Sequence, residues 1–555
     1  MRRRDFVRAG GVLAAGGFAA PGLLLASKTG RADLVLRGAE VFDGTGAPSR
    51  TLDVAITGDR IEALGEGLPA GVTELDLRGL ALAPGFIDIH SHTDLSLLVE
   101  PRAESRIRQG VTLDVTGQDG SSILWSERDA LDRDASHRER YGVGLGFRDL
   151  AGFFDRLDRD RPAVNVASMV GHGSVRAMVI GYEFRPATEA ETDRMRALVA
   201  EALAQGAVGL SSGLEYTPGS FADLRELAGV AAPLRGTGLP YASHMRNEDD
   251  GLLAALEECL QVGRVAGVPV QVSHLKAQGE RNYWKAESAL AMIEAARESG
   301  VEVDFDRYPY IAYATGLSNL FPAEMRAGSD FVARLTDPET APAMERAARD
   351  KIALLGEWDA VQITSAAEST RWARGRRLGV LAAERGVDPW ALVVELLVAG
   401  GGSVGMIGYG MDEQNTARLL AHPLAMVCSD GGSYAPYGPL SEVSPHPRAY
   451  GSFPRWLGHY VRDLGVLPLA EAIRRITLRP AEKLRLEDRG VIRVGAFADL
   501  VAFDPATIAD GATFEQPHRY PTGIEHVVVN GVVTIRHGEQ TGVRGGRPVR
   551  GVAAR

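Results

Sequence analysis

Cysteine is nearly absent: Cys259 and Cys428 are the only two in 555 residues. Two cysteines exclude a disulfide scaffold and a four-cysteine zinc site. Lysine is almost as scarce, with Lys28, Lys276, Lys285, Lys351 and Lys483 as the whole set. A lysine inside a motif is therefore conspicuous. An excess of positive charge is missing too, since 61 basic residues face 72 acidic ones for a net charge of −11. That argues against a general nucleic-acid binder, which presents a basic face. No run after the first thirty residues is long and apolar enough to read as a membrane span. What is plentiful is glycine, at 65 residues, within a 45% hydrophobic composition. This is the make-up of a globular chain rich in tight turns.

The first thirty residues read as an address. Arg3-Arg4-Asp5-Phe6-Val7-Arg8 resembles the twin-arginine export signal, Arg-Arg-x-Phe-Leu-Lys. The apolar stretch from Ala9 to Ala26 is short for a bilayer span and interrupted by glycine. The expectation is an export signal over residues 1–30, read by the twin-arginine machinery, and a periplasmic or secreted protein. An uncleaved anchor helix is the alternative. No cysteine follows the apolar stretch, which excludes a lipoprotein anchor.

From Asp33 the pattern becomes short apolar alternations broken by Gly and Asp, the mark of β-hairpins. The same style returns after Gly490, where Asn530-Gly531 is a strong hairpin turn signal. Residues 31–84 and 485–550 are thus expected to form one small β-sandwich domain built from both termini. The middle, 85–484, alternates short apolar strands with Ala/Leu/Glu/Arg-rich helical stretches. Eight windows read as strands: 85–90, 111–117, 163–171, 207–212, 239–244, 268–274, 301–307 and 425–430. Eight such units predict an α/β fold, a (β/α)8 TIM barrel with its chemistry at the carboxyl ends of the strands. An open doubly wound sheet is the runner-up. The long gap before the last strand predicts an inserted subdomain near 316–377.

Strand ends carry the chemistry. The first ends in IDIHSHTD, and alternating residues on a strand share a face, so His90 and His92 aim at one point. The fifth ends at His244, the sixth at His274 and the eighth at Asp430. Neutral imidazoles with a carboxylate make a good site for a divalent metal such as zinc. Cys428 lies two residues before Asp430 and reads as a small buried residue. Lys276, two after His274, and Arg448 are the candidate cations for a substrate carboxylate.

The motifs PGFIDIHSHTD, VGHGSVR, SSGLEYTPG, SHMRNE, VSHLK, RYPY, CSDGG and HPRAYGSFPRWLG, in this order, resemble the N-acyl-D-amino-acid deacylase (D-aminoacylase) family of the amidohydrolase superfamily. The resemblance runs from about Asp33 to the C-terminus and implies a metal-dependent barrel hydrolase. It places the metal on His90, His92, His244, His274 and Asp430. It also places Tyr216, Lys276, Tyr308 and Arg448 in the substrate pocket. One position departs: where the family carries a cysteine ligand after the second strand, this chain has Gly-Gln-Asp-Gly. Asp119 is then either a carboxylate ligand or a turn residue before Gly120.

The chemistry expected is hydrolysis of the linear amide of an N-acyl amino acid, with one or two zinc ions. Asp430 is the expected general base and then acid. The metal, Tyr216 or His172 would stabilise the oxyanion. D-configuration follows from the resemblance alone. The alternatives are a D-residue dipeptidase, a cyclic amidase or a lactonase on the same scaffold, or a non-catalytic periplasmic binding protein.

Overall fold

A computed structural model describes residues 31–328 and 330–554. The expected export signal, residues 1–30, lies outside the described residues. Among the described residues no helix is long and apolar enough to cross a membrane.

Eight short parallel strands form the centre. They are β1 (Phe86–Asp88), β2 (Val111–Thr116), β3 (Asn165–Ser168, continued by Val170–Gly171), β4 (Leu210–Gly213), β5 (Tyr241–His244), β6 (Val270–Val272), β7 (Val303–Arg307) and β8 (Ala425–Val427). Each falls on one of the eight windows expected from the sequence, β4 ending one residue beyond its own. The first half of β3 pairs with β2 and its continuation pairs with β4. A parallel bridge between Ser91 and Gly431 joins β1 to β8. The ring is thus closed in sequence order. The apolar residues divide between two clusters. Val111, Val166, Leu210, Val270 and Phe305 pack with helix residues such as Phe153, Val199, Leu256 and Ile293. Val115, Ala167, Ala242, Met426 and Cys428 form a separate cluster with Ile87 and Ile89. Alternate side chains therefore face the helices and the barrel interior, as the two-residue strand period requires.

Both termini build one apolar core, in which Leu34, Val54, Ile61 and Leu82 meet Ile492, Leu500 and Val528. Their strands form one nine-stranded sheet. Its two halves join where Ala81–Pro84 runs antiparallel to Leu500–Phe503. The strand Leu34–Val41 pairs with Thr73–Asp76 over its first half and with Ala81–Pro84 over its second. The switch falls at a bulge where Gly38 has φ +63°, a conformation glycine adopts without cost. Asn530 and Gly531 both have positive φ at the hairpin turn, as the sequence signal requires.

The insertion is larger than the sequence suggests. It is built on a three-stranded antiparallel sheet, Ala312–Gly316, Val361–Ser365 and Gly405–Tyr409. Helices Leu378–Arg385 and Pro389–Ala399 read like ordinary barrel helices. They pack instead against this sheet, with Leu378, Leu392 and Leu396 beside Val361 and Ile363. The chain therefore leaves the barrel near 312 and returns only after 409.

Candidate metal centre and active site

The carboxyl ends of β1, β5 and β6 deliver His90, His92, His244 and His274 to one point, and the turns after β2 and β8 add Asp119 and Asp430. Asp119, His274 and Asp430 have φ of +53°, +35° and +48°. Non-glycine residues rarely adopt this region, and such strain collects at functional sites. Here it occurs at three residues that lie two or three positions beyond a strand end.

Two ligand groups share Asp119, namely His90, His92, Asp119 and Asp430, and Asp119, His244 and His274, and a third joins Glu215, His244 and Glu248 behind them. Asp119 Oδ1 lies 3.3 Å from His90 Nε2 and 3.6 Å from His274 Nε2. Its Oδ2 lies 3.4 Å from His92 Nε2 and 3.6 Å from His244 Nδ1. Asp430 Oδ1 lies 3.1 Å from His92 Nε2 and 3.7 Å from His90 Nε2. Asp119 is thus more than a turn residue, since it faces all four imidazoles.

Three further carboxylates orient the rings from behind. Asp306 Oδ1 lies 3.5 Å from His90 Nδ1 and accepts the backbone N–H of His274 at 2.8 Å. Glu248 Oε1 lies 3.0 Å from His274 Nδ1, and Glu215 Oε2 lies 3.1 Å from His244 Nε2. Each leaves the other ring nitrogen facing Asp119, which is how outer partners fix a ligand's orientation. Burial opposes protonation of His92 and His244, but the carboxylates beside them lift their pKa to about 9 and about 10. Burial would raise Asp119, but the surrounding imidazoles hold it well below the usual carboxylate range. These carboxylates need positive charge close by, and a divalent cation can supply it in place of the imidazole protons.

The fit to a metal is shown by what is left unpaired. Both ring nitrogens of His90 and Oδ1 of Asp119 are buried without a hydrogen-bond partner. Orphaned buried polar atoms are rare, and these converge. The donors are all nitrogen and oxygen, a set that suits zinc and other first-row divalent ions. Cys428 is fully buried and stays outside all three ligand groups.

A cavity of about 410 Å³ opens over the centre. Tyr216, Lys276, Tyr308 and Arg448 all line it. The Tyr308 hydroxyl is buried and has no partner. Arg448 Nη1 lies 2.8 Å from Asp430 Oδ2. Tyr216 packs its ring 4.6 Å from that of His244. Lys276 differs from expectation in its state: its ammonium donates to Glu248 at 2.5 Å and lies 2.8 Å from His274 Nδ1. Its charge is committed to the metal side as well as facing the cavity. His172 requires a correction. It is fully buried, its Nε2 is 2.9 Å from Glu226 Oε1, and it does not line the cavity. Glycines 173 and 219 stand at the wall instead, so no oxyanion contact comes from His172.

Sequence reasoning missed Glu215, Glu248 and Asp306, although each lies inside a quoted or adjoining motif. It also missed Thr315, Asn319 and Lys351, which the insertion adds to the cavity wall. Lysine scarcity was the available signal for Lys351: two of the five lysines line this one cavity.

The amidohydrolase family pattern matches residues 73–535. The chain belongs to the amidohydrolase family. This amidohydrolase is 38% identical over 530 residues to the D-aminoacylase of Alcaligenes xylosoxydans xylosoxydans, covering 94% of this chain and 98% of the relative. A solved D-aminoacylase structure, described for its binuclear metal centre, matches with a TM-score of 0.78 at 37% identity, covering 94% of this chain and all of that one. The N-acyl-D-glutamate deacylase of Bordetella bronchiseptica, solved with zinc and a phosphonate mimic of the tetrahedral intermediate, matches with the same TM-score at 34% identity and the same coverage.

Proposed function

We propose that this amidohydrolase cleaves the linear amide of N-acyl-D-amino acids at a centre of one or two zinc ions. The observation that carries the reading is the convergence of four imidazoles with Asp119 and Asp430, with both ring nitrogens of His90 and Oδ1 of Asp119 buried and unpaired, at the mouth of a barrel of this family. The full-length similarity to a D-aminoacylase and to an N-acyl-D-glutamate deacylase supports the substrate class.

His90, His92, Asp119, His244, His274 and Asp430 would hold the metal. Zinc supplies Lewis-acid polarisation of a carbonyl and an acidified water. Asp430 takes the proton of the attacking water and hands it to the leaving nitrogen. Arg448 keeps Asp430 in position and, although burial opposes ionisation, helps to hold it well below the usual carboxylate range. Tyr308, with its free hydroxyl, stands beside Arg448 and Lys276, whose cationic groups lie 4.6 Å and 5.8 Å from its ring. These three receive the α-carboxylate of the amino acid. The products are a carboxylate and a free amino acid.

Paired N-acetyl-D- and N-acetyl-L-amino acids test the reading, incubated with the zinc-loaded protein and scored for amine release. Release from D substrates that stops on chelation and returns with zinc is expected. No release from any D substrate overturns it. We further infer twin-arginine export from Arg3-Arg4 and the apolar stretch behind them. Arg3→Lys with Arg4→Lys should leave the protein in the cytoplasm, and unchanged export would refute that address.

A further inference from the structure

The cavity has two unlike ends. On the β6–β8 side it is lined by Lys276, Tyr308 and Arg448. On the β2–β3 side it runs past Gly120 and Gly173 to Leu124, Trp125, Ala177, Met178 and Tyr182, with Asp129 and Arg133 at the same end and the Arg133 guanidinium 5.0 Å from the Trp125 ring. Between the ends the wall includes Gly120, Gly173 and Gly219, with Ser121 and Ser174 beside them. A Cβ on Gly120 would lie 2.7 Å from the Gly213 nitrogen, one on Gly173 would lie 2.8 Å from the Gly120 carbonyl oxygen, and one on Gly219 would lie 2.6 Å from the Gly213 carbonyl oxygen. Backbone packs against backbone at all three positions, so none of them has room for a side chain.

Large apolar side chains dominate this end. Trp125 is 8% exposed and stacks on Phe147 at 5.9 Å, so its indole is fixed. Met178 and Tyr182 stand 37% and 62% exposed at the rim. Fixed apolar walls with exposed apolar rims mark ligand grooves.

We infer that this end is the acyl subsite and that it selects a medium-length unbranched or aromatic acyl group over acetyl. The inference rests on the deacylase reading above and names the other half of its substrate. A secondary amide is planar and trans. The acyl carbon chain and the amino acid α-carbon therefore leave the C–N bond on opposite sides. In a closed ring of eight strands, β2 lies opposite β6 and β3 opposite β7. With the α-carboxylate held at Lys276, Tyr308 and Arg448, the acyl chain must point toward Trp125 and Met178.

Free carboxylates from acetate to octanoate are the probe, because each is the acyl product and none can be hydrolysed. Their affinity for the zinc-loaded protein, measured by titration calorimetry, should rise with length. The gain should approach about 4-fold for each fully buried methylene. In Trp125→Ala and in Met178→Ala the octanoate-to-acetate affinity ratio should fall by about 10-fold. Val265→Ala, at an exposed apolar position outside the cavity, should leave that ratio alone. In turnover, N-hexanoyl-D-leucine and N-hexanoyl-D-glutamate should show a lower KM than the acetyl compounds. Flat or falling affinity from acetate to octanoate overturns the inference, as does a ratio unchanged in both cavity variants. Absence of amine release from every N-acyl-D compound would instead overturn the deacylase reading, and the carboxylate series would still show whether this end binds an apolar chain.

Discussion

Two clusters of buried charge lie side by side along β1 and β8, and they are finished differently. One joins Asp88, Arg106, Asp114 and Ser429, all completely buried. Arg106 Nη2 donates to Asp114 at 2.8 Å and to Asp88, and Arg106 Nη1 donates to Ser429 at 3.1 Å. None of its polar atoms is left without a partner. The other cluster begins two residues later at His90 and one residue later at Asp430. There His90, Asp119 and Tyr308 all keep an unpaired buried atom. A satisfied buried network is architecture; a converging set of unsatisfied atoms is a site that something else completes.

Opposite responses to substitution would break or sustain that distinction. The largest effect on activity belongs to Asp430→Asn, which should lower kcat/KM by about 10³- to 10⁴-fold. Full activity in that variant would remove Asp430 from proton transfer. Arg106→Met should act on stability instead. Leaving two buried carboxylates uncompensated costs about 3–5 kcal/mol, read as a lower denaturation midpoint, while metal bound per folded chain stays unchanged. A midpoint equal to wild type would show that the lower cluster is not structural. Glu248→Gln stands between the two, because Glu248 touches both Lys276 and His274. Loss of such an outer partner costs about 10- to 100-fold in metal affinity or activity. Competition with a chromogenic chelator reads this directly, and an unchanged zinc affinity would make Glu248 a packing residue.

The same distinction explains what the sequence could and could not show. The eight strand windows were legible because parallel strands buried on both faces leave short apolar runs. His90 and His92 were legible because a two-residue spacing at a strand end has one geometric meaning. Satisfaction was not legible. Asp88, Asp306 and Asp430 all lie at or near strand ends, yet one completes a structural network, one backs a ligand and one faces the cavity. His172 follows a strand just as His90 does. Its Nε2 pairs with Glu226 from a helix more than fifty residues further on, while its Nδ1 has no partner, and no local pattern marks that pairing. The insertion was under-drawn because its later helices have the same amphipathic pattern as barrel helices.

An unpaired buried atom alone is not a site, and the terminal domain supplies the case that sharpens the rule. His526 is 3% exposed on the strand Ile524–Val529, and its Nδ1 has no partner. Its ring lies 4.7 Å from that of His537, and no cluster of potential metal ligands among the described residues includes it. Burial first, then the nearby His537 and Arg536 charges, push its pKa down to about 4. The unfolded chain therefore binds this proton near pH 6.5 and the folded chain only near pH 4. Stability should fall as pH drops through that window and level off below it. Between pH 7 and pH 4.5 the loss due to this group is about 2 kcal/mol. His526→Phe keeps a ring of similar shape and cannot bind a proton, so its stability should fall by about 2 kcal/mol less over the same interval. Denaturant titrations at the two pH values measure the difference, and equal losses would show that His526 is not the acid-sensitive group. A lone orphan thus costs stability when acid supplies its proton, whereas the orphans at the barrel mouth act together because Asp119 brings them within reach of one ion.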